Sequence, residues 1–243
     1  MTTYKIIVYD DNCPLCCWYT GAFVETGLLT PDGRQAFGEI DPDKMANQLD
    51  LERSKDEIPL LDVNGGATLY GIDSLLYILG QRWPWMVHVA RWAPINWFIR
   101  SLYKFISYNR RVIVGSQTPE GSFDCSPQFN SFYRYLYLAF AALVGLTGTA
   151  SYLNSSDFIH YPYLAAVGLL LLVSTPIVCL PNQAATRINY LGVMWTPYLV
   201  LGVLFAVYGY LSVPVWLGGT AGLLVAAFLW WKRWNVAKEV SEG

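Results

Sequence analysis

The chain has 243 residues, of which 54% are hydrophobic, 16% aromatic and 14% charged, which is too apolar for an ordinary soluble protein. Only Asp157 and Arg187 carry charge within residues 135–231, whereas residues 1–134 hold 27 of the 34 charged side chains. This distribution excludes a single soluble domain and predicts a water-facing N-terminal unit followed by a membrane-embedded unit.

The first 82 residues alternate between strand-like and helix-like patterns. Their predicted elements, in chain order, are a strand over 5–9, a helix from 14, a strand over 34–40, a helix over 42–51, strands over 58–63 and 67–70, and a helix over 74–82. Asn64-Gly65-Gly66 marks a hairpin turn, and Asp41 and Asp73 are suitable helix N-caps. The order β-α-β-α-β-β-α predicts a compact α/β domain over residues 1–82, with a mixed sheet and helices on both of its faces.

Residues 83–134 form a segment of different composition. From residue 82 to residue 134 there are 7 bases and 2 acids, and the segment contains Trp83, Trp85, Trp92 and Trp97. A basic, Trp-rich helical segment is predicted to lie at the lipid interface, where each base gains about 1 kcal/mol from anionic headgroups. Nucleic acid is a poor alternative partner because the net charge is −2 and no nucleic-acid-binding motif is present.

Residues 135–243 predict an all-α domain of four transmembrane helices with a short cytoplasmic tail. The four stretches are 135–153, 161–180, 190–211 and 213–231, each close to the roughly 20 residues that cross a bilayer. Their composition lacks the alternation of barrel strands, and length disfavours the alternative of an apolar soluble bundle. Gly218, Gly219 and Gly222 predict close helix packing in the last span, and the lack of buried ionisable residues disfavours a transporter.

The Lys and Arg residues predict the orientation of these spans. They lie before the first span, in the loop 181–189 and after the last span, at Arg110, Arg111, Arg134, Arg187, Lys232, Arg233 and Lys238. The two loops on the opposite side contain none. We therefore expect a multi-pass integral membrane protein, typical of a bacterial inner membrane, with both termini in the cytoplasm and no signal peptide.

Five cysteines are present, at Cys13, Cys16, Cys17, Cys125 and Cys179. The first two form a C-x-x-C that follows a predicted strand and begins a predicted helix. A helix N-terminus stabilises a thiolate and lowers a cysteine pKa from about 8.5 into the range of about 3.5 to 7.5. We therefore predict that Cys13 is an exposed nucleophile and that Cys16, one turn deeper, resolves the mixed disulfide.

A zinc site is the alternative use of a C-x-x-C. No second C-x-x-C or histidine pair follows, and the only histidines are His88 and His160. Redox chemistry without a metal or other cofactor is therefore the favoured interpretation. A zinc site assembled from all of the cysteines except Cys17 remains the alternative.

Pro59 begins a predicted strand, where a proline normally weakens strand pairing. In thioredoxin-like sheets a cis-proline at this place faces the dithiol and leaves backbone groups free to pair with a substrate chain. Ile58 and Pro59, together with Pro14 between the cysteines, are therefore candidate substrate-binding residues. A proline at a strand edge is the alternative.

The segment Asp10-Asp11-Asn12-Cys13-Pro14-Leu15-Cys16 resembles the D-G-x-C-P-x-C signature of the DCC family of thiol-disulfide oxidoreductases, a thioredoxin-like group. Later blocks also look like that family, namely Ile58-Pro59-Leu60-Leu61, Gly71-Ile72-Asp73-Ser74 and Tyr108-Asn109-Arg110-Arg111. The resemblance covers residues 4–114, and Asp11 stands where the family usually has glycine. It implies thiol-disulfide exchange, but it leaves the substrate open and says little about the four-helix region.

The remaining candidates are given alternative roles. Asp10 is a candidate proton acceptor for Cys16, and an Asx turn or helix cap is the alternative. Cys17 is assigned to packing. Cys125 and Cys179 are candidate relay thiols between the dithiol and the membrane domain, and two unrelated free thiols are the alternative.

Two functions follow from this sequence. The first is a membrane-anchored oxidoreductase that reduces or exchanges disulfides of a protein or small-thiol partner in the reducing cytoplasm. The second is a non-catalytic membrane scaffold or assembly factor that binds a partner, such as another membrane protein, through its thioredoxin-like domain.

Overall fold

The computed structural model describes residues 5–40, 48–115, 125–155 and 184–242. The chain divides into two compact units, residues 1–130 and residues 131–243. The sequence suggested a separate segment over residues 83–134, but the helices of this segment that precede residue 131 fold with the first 82 residues.

The N-terminal unit contains a four-stranded mixed sheet. Its strands are β1 (Lys5–Tyr9), β2 (Arg34–Ala36), β3 (Pro59–Asp62) and β4 (Leu69–Tyr70), in the spatial order β2-β1-β3-β4. Strand β1 is parallel to β2 and antiparallel to β3, which forms an antiparallel hairpin with β4. This thioredoxin-like arrangement confirms the predicted mixed sheet and places β1 at an interior position of the sheet.

In the described part of this unit five α-helices accompany the sheet, and the order of the elements confirms the predicted β-α-β-α-β-β-α. They are α1 (Pro14–Glu25), α2 (Leu51–Asp56), α3 (Ile72–Arg82), α4 (Pro84–Arg91) and α5 (Ala93–Val114). The predicted helix over 42–51 is wrong at its C-terminal end, since residues 48–50 are not helical and residues 41–47 lie outside the described part of the chain. Helix α2 begins where that prediction ended, because the Asp50 side chain accepts a hydrogen bond from the Arg53 N–H at 3.0 Å and caps it.

Two further boundaries differ from the prediction. Strand β2 ends at Ala36 rather than residue 40, because the chain turns there into a 3-10 helix over Phe37–Glu39. Helix α3 is capped by Gly71 rather than Asp73, because the chain leaves β4 through a left-handed turn with φ +61° that favours glycine. Asp73 instead lies in the first turn of α3, where its carboxylate accepts a hydrogen bond from Arg100 at 2.7 Å.

The two faces of the sheet have separate cores because successive residues of β1 point to opposite sides. Ile7 packs with Ile58, Leu60 and Ile78, and helices α1, α3 and α5 contribute side chains to this cluster. Val8 packs on the other face, in a cluster formed by Phe37, Leu49 and Cys125. Among the described residues, helices therefore pack on the Ile7 face, whereas the Val8 cluster is built from a 3-10 helix and coil segments.

The C-terminal unit is all-helical in its described part. Its helices are α6 (Ser131–Ser155), α7 (Ala184–Tyr210) and α8 (Val215–Glu242). Helix α6 contains the first predicted span, and α7 and α8 cover the third and fourth except for Leu211, Val213 and Pro214, which lie in the turn between these helices. The predicted span over 161–180 lies outside the described residues. Among the described residues, two segments are long and apolar enough to cross a membrane, Ser131–Asn154 and Thr186–Tyr210.

Helices α6 and α7 approach each other closely at glycines. A Cβ atom added at Gly148 would overlap the carbonyl oxygen of Gly202, and one added at Gly202 would lie 2.5 Å from the Cα of Gly145. Such small-residue contacts are typical of helix packing in membranes. Of the three glycines predicted to pack in the last span, Gly218 and Gly222 contact aromatic side chains, whereas an added Cβ at Gly219 meets nothing within 4 Å.

Pro197 interrupts the hydrogen-bonding pattern inside α7 because it has no N–H to donate to the carbonyl of Val193. Arg233 of α8 donates to that carbonyl at 3.4 Å, and Trp230 donates to the neighbouring carbonyl of Met194 at 2.8 Å. Side chains of α8 therefore supply hydrogen-bond donors at the place where the proline removes one. In an apolar environment each backbone carbonyl needs such a donor from the protein, because no water is available.

Candidate active site

The dithiol lies at the junction of β1 and α1. The chain leaves β1 at Tyr9, turns through residues 10–12 and enters α1 with Cys13 as its N-cap and Pro14 in its first turn. Proline suits this position because the first N–H groups of a helix have no intrahelical partner. Cys16 follows one turn later on the buried side of the helix.

Both sulfur-bearing residues are buried, which corrects the prediction of an exposed nucleophile. Cys13 has 0% of its surface exposed and Cys16 has 4%, and both are free thiols. Pro14 is exposed between them. Cys17 is half-buried, and its Sγ donates to the carbonyl of Asp11 at 3.4 Å.

The two thiols differ in acidity. The Cys13 sulfur accepts hydrogen bonds from the Cys16 thiol and from the Cys16 N–H, and Arg110 adds a positive charge, so the pKa of Cys13 is lowered from 9.0 to about 6 although burial opposes the shift. The pKa of Cys16 is raised, because its thiol donates that hydrogen bond and because it is buried. At neutral pH the pair therefore consists of a Cys13 thiolate and a Cys16 thiol.

Asp10 shapes the turn that carries the dithiol. Its Oδ1 accepts a hydrogen bond from the Asn12 N–H at 3.0 Å, which is the Asx turn that the sequence left as an alternative. Its Oδ2 lies 3.5 Å from Nη2 of Arg111 and 3.9 Å from Nη2 of Arg110. Asp10 is therefore a buried carboxylate paired with two arginines, and its role as a proton acceptor stays a prediction.

Arg110 is the main site residue that the sequence argument did not identify. It is 6% exposed, and its guanidinium donates to the backbone carbonyls of Lys55, at 2.9 Å, and of Cys125. Its Nε has no hydrogen-bond partner among the described residues. Its charge acts on Cys13 and on Cys16, lowering the pKa of each relative to an uncharged neighbour.

A pattern in the sequence could have pointed to Arg110. Ser107 and Arg110 are polar residues three positions apart, so they lie on one face of α5, and that face also carries the short polar side chains able to bond buried backbone groups. In the predicted orientation, Arg110 is a loop charge beside the first span. Because Arg110 is buried within the N-terminal unit, it does not support that orientation.

The surroundings of Ile58 and Pro59 differ from the expected arrangement, and the role of these residues in substrate binding stays a prediction. The peptide bond between them is trans, and both residues are buried. The Ile58 N–H donates to the Tyr103 hydroxyl at 2.9 Å, and the Ile58 carbonyl accepts from the Gly71 N–H and the Ser74 hydroxyl. Backbone groups of Ile58 are therefore not free to pair with a substrate chain in this structure.

Cys125 lies in the core of the N-terminal unit, packed in the Val8 cluster. Burial, and next the negative charge of Asp10, raise the pKa of the Cys125 thiol to about 12. Cys125 is therefore a protonated thiol at neutral pH, which makes it a poor attacking group for a relay. Cys179, the other candidate relay thiol, lies outside the described residues.

The zinc alternative stays untested, because Cys179, one of its four cysteines, lies outside the described residues. In the described parts of the chain, no three His, Cys, Asp or Glu side chains are grouped to hold a metal ion. The positive charge of Arg110 beside Cys13 and Cys16 would also oppose a divalent cation there.

One comparison with known proteins gives a match. The sequence profile described as DCC1-like thiol-disulfide oxidoreductase matches residues 7–116, a range that contains the dithiol, Asp10, Arg110 and Arg111. Comparisons with curated proteins and with solved structures each gave no match.

Proposed function

Residues 7–116 belong to the DCC1-like thiol-disulfide oxidoreductase family, and from this premise we propose that the chain is a membrane-anchored enzyme that exchanges disulfides through Cys13 and Cys16. The observation that carries the proposal is the opposite shift of the two thiol pKa values, with Cys13 lowered and Cys16 raised. Thiol-disulfide exchange needs this difference, because one sulfur attacks as a thiolate while the other stays protonated until the second step.

In the proposed reaction the Cys13 thiolate attacks one sulfur of a substrate disulfide. A Cys13–substrate disulfide forms, and the second substrate sulfur leaves as a thiolate that takes up a proton. Cys16 then loses its proton and attacks Cys13, which forms the Cys13–Cys16 disulfide and releases the first substrate sulfur as a thiol. The substrate gains two electrons and the dithiol loses two, and a cellular thiol donor returns the enzyme to its reduced form.

The burial of Cys13 adds a step to this mechanism. An attacking sulfur must meet the substrate sulfur in line with the bond that breaks, which a fully covered Cys13 does not allow. We therefore propose that substrate binding or a local opening uncovers Cys13. Pro14, which is exposed beside it, is then the residue of the motif that first meets the substrate.

For the C-terminal unit we propose a four-span anchor with the dithiol domain in the cytoplasm. The two helices long and apolar enough to cross a membrane support it, as does the close glycine packing between them. The Lys and Arg residues around the spans support the orientation, with Arg110 left out of the count.

A disulfide reduction assay on the purified full chain in detergent tests the proposed chemistry. We expect Cys13→Ser to abolish turnover, and Cys16→Ser to abolish turnover while trapping a mixed disulfide with the substrate. Cys17→Ser is the matched control, because Cys17 is adjacent in sequence but bonds the backbone of the Asp10 turn instead of the dithiol. Unchanged turnover in Cys13→Ser would exclude the proposal.

A second candidate function is a non-catalytic scaffold or assembly factor, and the burial of Cys13 together with the occupied backbone of Ile58 favours it. In that case the dithiol stabilises the domain and the partner binds elsewhere. Cells carrying Cys13→Ser and Cys16→Ser in place of the parent chain separate the two functions. If these cells keep the phenotype of cells with the parent chain, the scaffold is supported. If they behave like cells that lack the chain, although the variant is present at normal levels, the enzyme is supported.

A further inference from the structure

Helix α5 uses polar side chains to pack onto the N-terminal unit. Its buried residues are Ser107, Asn109, Arg110 and Val112, of which three are polar. The Ser107 hydroxyl donates to the carbonyl of Asp56, and Arg110 reaches the carbonyl of Lys55. The inward face of this helix is therefore held by hydrogen bonds and an ion pair more than by apolar contact.

The outward face of α5 is apolar. Trp97 is 72% exposed and Phe98 is 58% exposed, and Leu102 and Ile106 are exposed at successive four-residue steps after Phe98. Residues at this spacing form one stripe along a helix. A helix between a protein core and water has the opposite polarity, with its apolar stripe inward.

The preceding helix α4 also exposes large apolar side chains. Trp85 and Val89 are exposed four residues apart, and Trp92 follows three residues later at the junction with α5. Large exposed apolar surfaces are rare on proteins that face only water, and they mark places where something other than water is in contact. We call this set the outer apolar surface, and it comprises Trp85, Val89, Trp92, Trp97, Phe98, Leu102 and Ile106.

Helices α4 and α5, which carry the outer apolar surface, have basic charged residues only. Residues 83–115 contain five Lys or Arg residues and no Asp or Glu. Of these bases, Arg91, Arg100 and Lys104 are exposed, and Arg100 is paired with Asp73 of α3 at 2.7 Å. A second copy of this surface would bring like charges together, whereas the anionic headgroups of a bilayer would neutralise them.

We propose that the outer apolar surface lies in the headgroup region of a bilayer that contains anionic lipid. Trp97 and Phe98 enter the boundary between headgroups and acyl chains, where indole rings are favoured, and Arg91 and Lys104 contact lipid phosphates. The chain continues from this unit into a helix long and apolar enough to cross the same bilayer, Ser131–Asn154. Lipid, and not water, would then contact the apolar outward face of α5.

Nitroxide labelling of the full chain in vesicles of phosphatidylcholine and phosphatidylglycerol tests this proposal. Phe98→Cys carries the label on the outer apolar surface, and Glu52→Cys on the exposed side of α2 is the matched control. The spectrum of the labelled parent chain is subtracted. We expect the label at residue 98 to be relaxed more by oxygen than by a water-soluble nickel complex, and the label at residue 52 to show the reverse.

Two outcomes would overturn the proposal. Equal access of the nickel complex to both labels means that the surface faces water. A label at residue 98 that is shielded from both relaxants and broadened by a second nitroxide means that another copy covers it. In the supporting case, Arg91→Gln with Lys104→Gln reduces the oxygen preference at residue 98, and removing phosphatidylglycerol has the same effect. None of these readouts depends on the thiol chemistry, so they are independent of the proposed function.

Discussion

Arg110 and Asp10 are 100 residues apart in the chain, yet their side chains meet in a buried ion pair beside the dithiol, with 3.9 Å between Nη2 and Oδ2. Helix α5 brings the arginine to the turn that follows β1. This pair links the acidity of Cys13 to the docking of α5.

Removing the charge of Arg110 is expected to raise the pKa of Cys13 above about 6, because that charge lowers it. Arg110→Met tests this, with the ultraviolet absorbance of the thiolate followed against pH. Arg110→Lys is the control that keeps a positive charge. A titration midpoint that is the same in the parent and in Arg110→Met would contradict the assignment.

Breaking this buried pair also costs stability, typically about 3 to 5 kcal/mol, because Asp10 loses one of its two arginine partners. Asp10→Asn combined with Arg110→Met removes both charges, and we expect it to recover part of the free energy of unfolding. Thermal unfolding of the single and double variants measures the difference. If Arg110→Met and the double variant lose the same amount of unfolding free energy, the loss comes from packing and not from the unpaired charge of Asp10.

The stability of the reduced chain is expected to pass through a maximum near pH 9. Cys13 has a folded pKa of about 6 against 9.0 when unfolded, so its contribution is lost as the pH falls from 9 through 6. The pKa of Cys16 is raised, so its contribution is lost as the pH rises above 9. Thermal midpoints measured across this range for the parent and for Cys13→Ser test the prediction, since only the parent should gain stability between pH 6 and 9.

Cys13 is expected to react slowly with iodoacetamide in spite of its low pKa, because it has no exposed surface. Mass spectrometry of the modified peptide gives the rate. We expect a rate well below that of a free thiol with the same thiolate fraction, and an increase when mild denaturant opens the domain. A rate equal to that of the free thiol would mean that the site is open in solution and that no uncovering step is needed.

Tyr103→Phe is expected to destabilise the N-terminal unit by about 1 to 3 kcal/mol, because the buried N–H of Ile58 loses its acceptor. Tyr108→Phe is the control, since its hydroxyl lies at a longer 3.4 Å from the Asp56 carboxylate. Denaturant unfolding followed by near-ultraviolet circular dichroism gives both values. If both variants lose a similar unfolding free energy, the hydrogen bond to Ile58 does not stabilise the unit more than the bond to Asp56 does.

Gly148→Ala is expected to disturb the packing of α6 against α7, because the added methyl group overlaps the carbonyl of Gly202. The typical cost of overpacking is about 1 to 3 kcal/mol. Gly219→Ala is the control, because its methyl group meets no neighbour and alanine favours a helix by about 1 kcal/mol. In detergent, we expect the midpoint of thermal unfolding of Gly148→Ala to be lower than that of the parent, and the midpoint of Gly219→Ala to be equal to or higher than that of the parent.

Local patterns were sufficient to predict β1, the start of α1 and the hairpin, because β-branched runs, an N-terminal proline and Asn-Gly turns act over a few residues. The position of Arg110 was not predictable in this way, because its partners at Asp10 and Lys55 are distant in sequence. The burial of Cys13 and the occupied backbone of Ile58 are tertiary features as well. Motif spacing predicted which sulfurs react, whereas the electrostatic environment of these sulfurs depends on how α5 docks.

The buried charges around Cys13 also bear on its reduction potential. Asp10, Arg110 and Arg111 together carry one positive charge, which a Cys13 thiolate neutralises and a disulfide does not. Because an uncompensated buried charge is costly, the arrangement favours the reduced form. This shifts the potential of the couple to a more positive value and makes the dithiol a weaker reductant than the same C-x-x-C in water. The docking of α5 therefore limits how strongly the dithiol reduces a substrate disulfide.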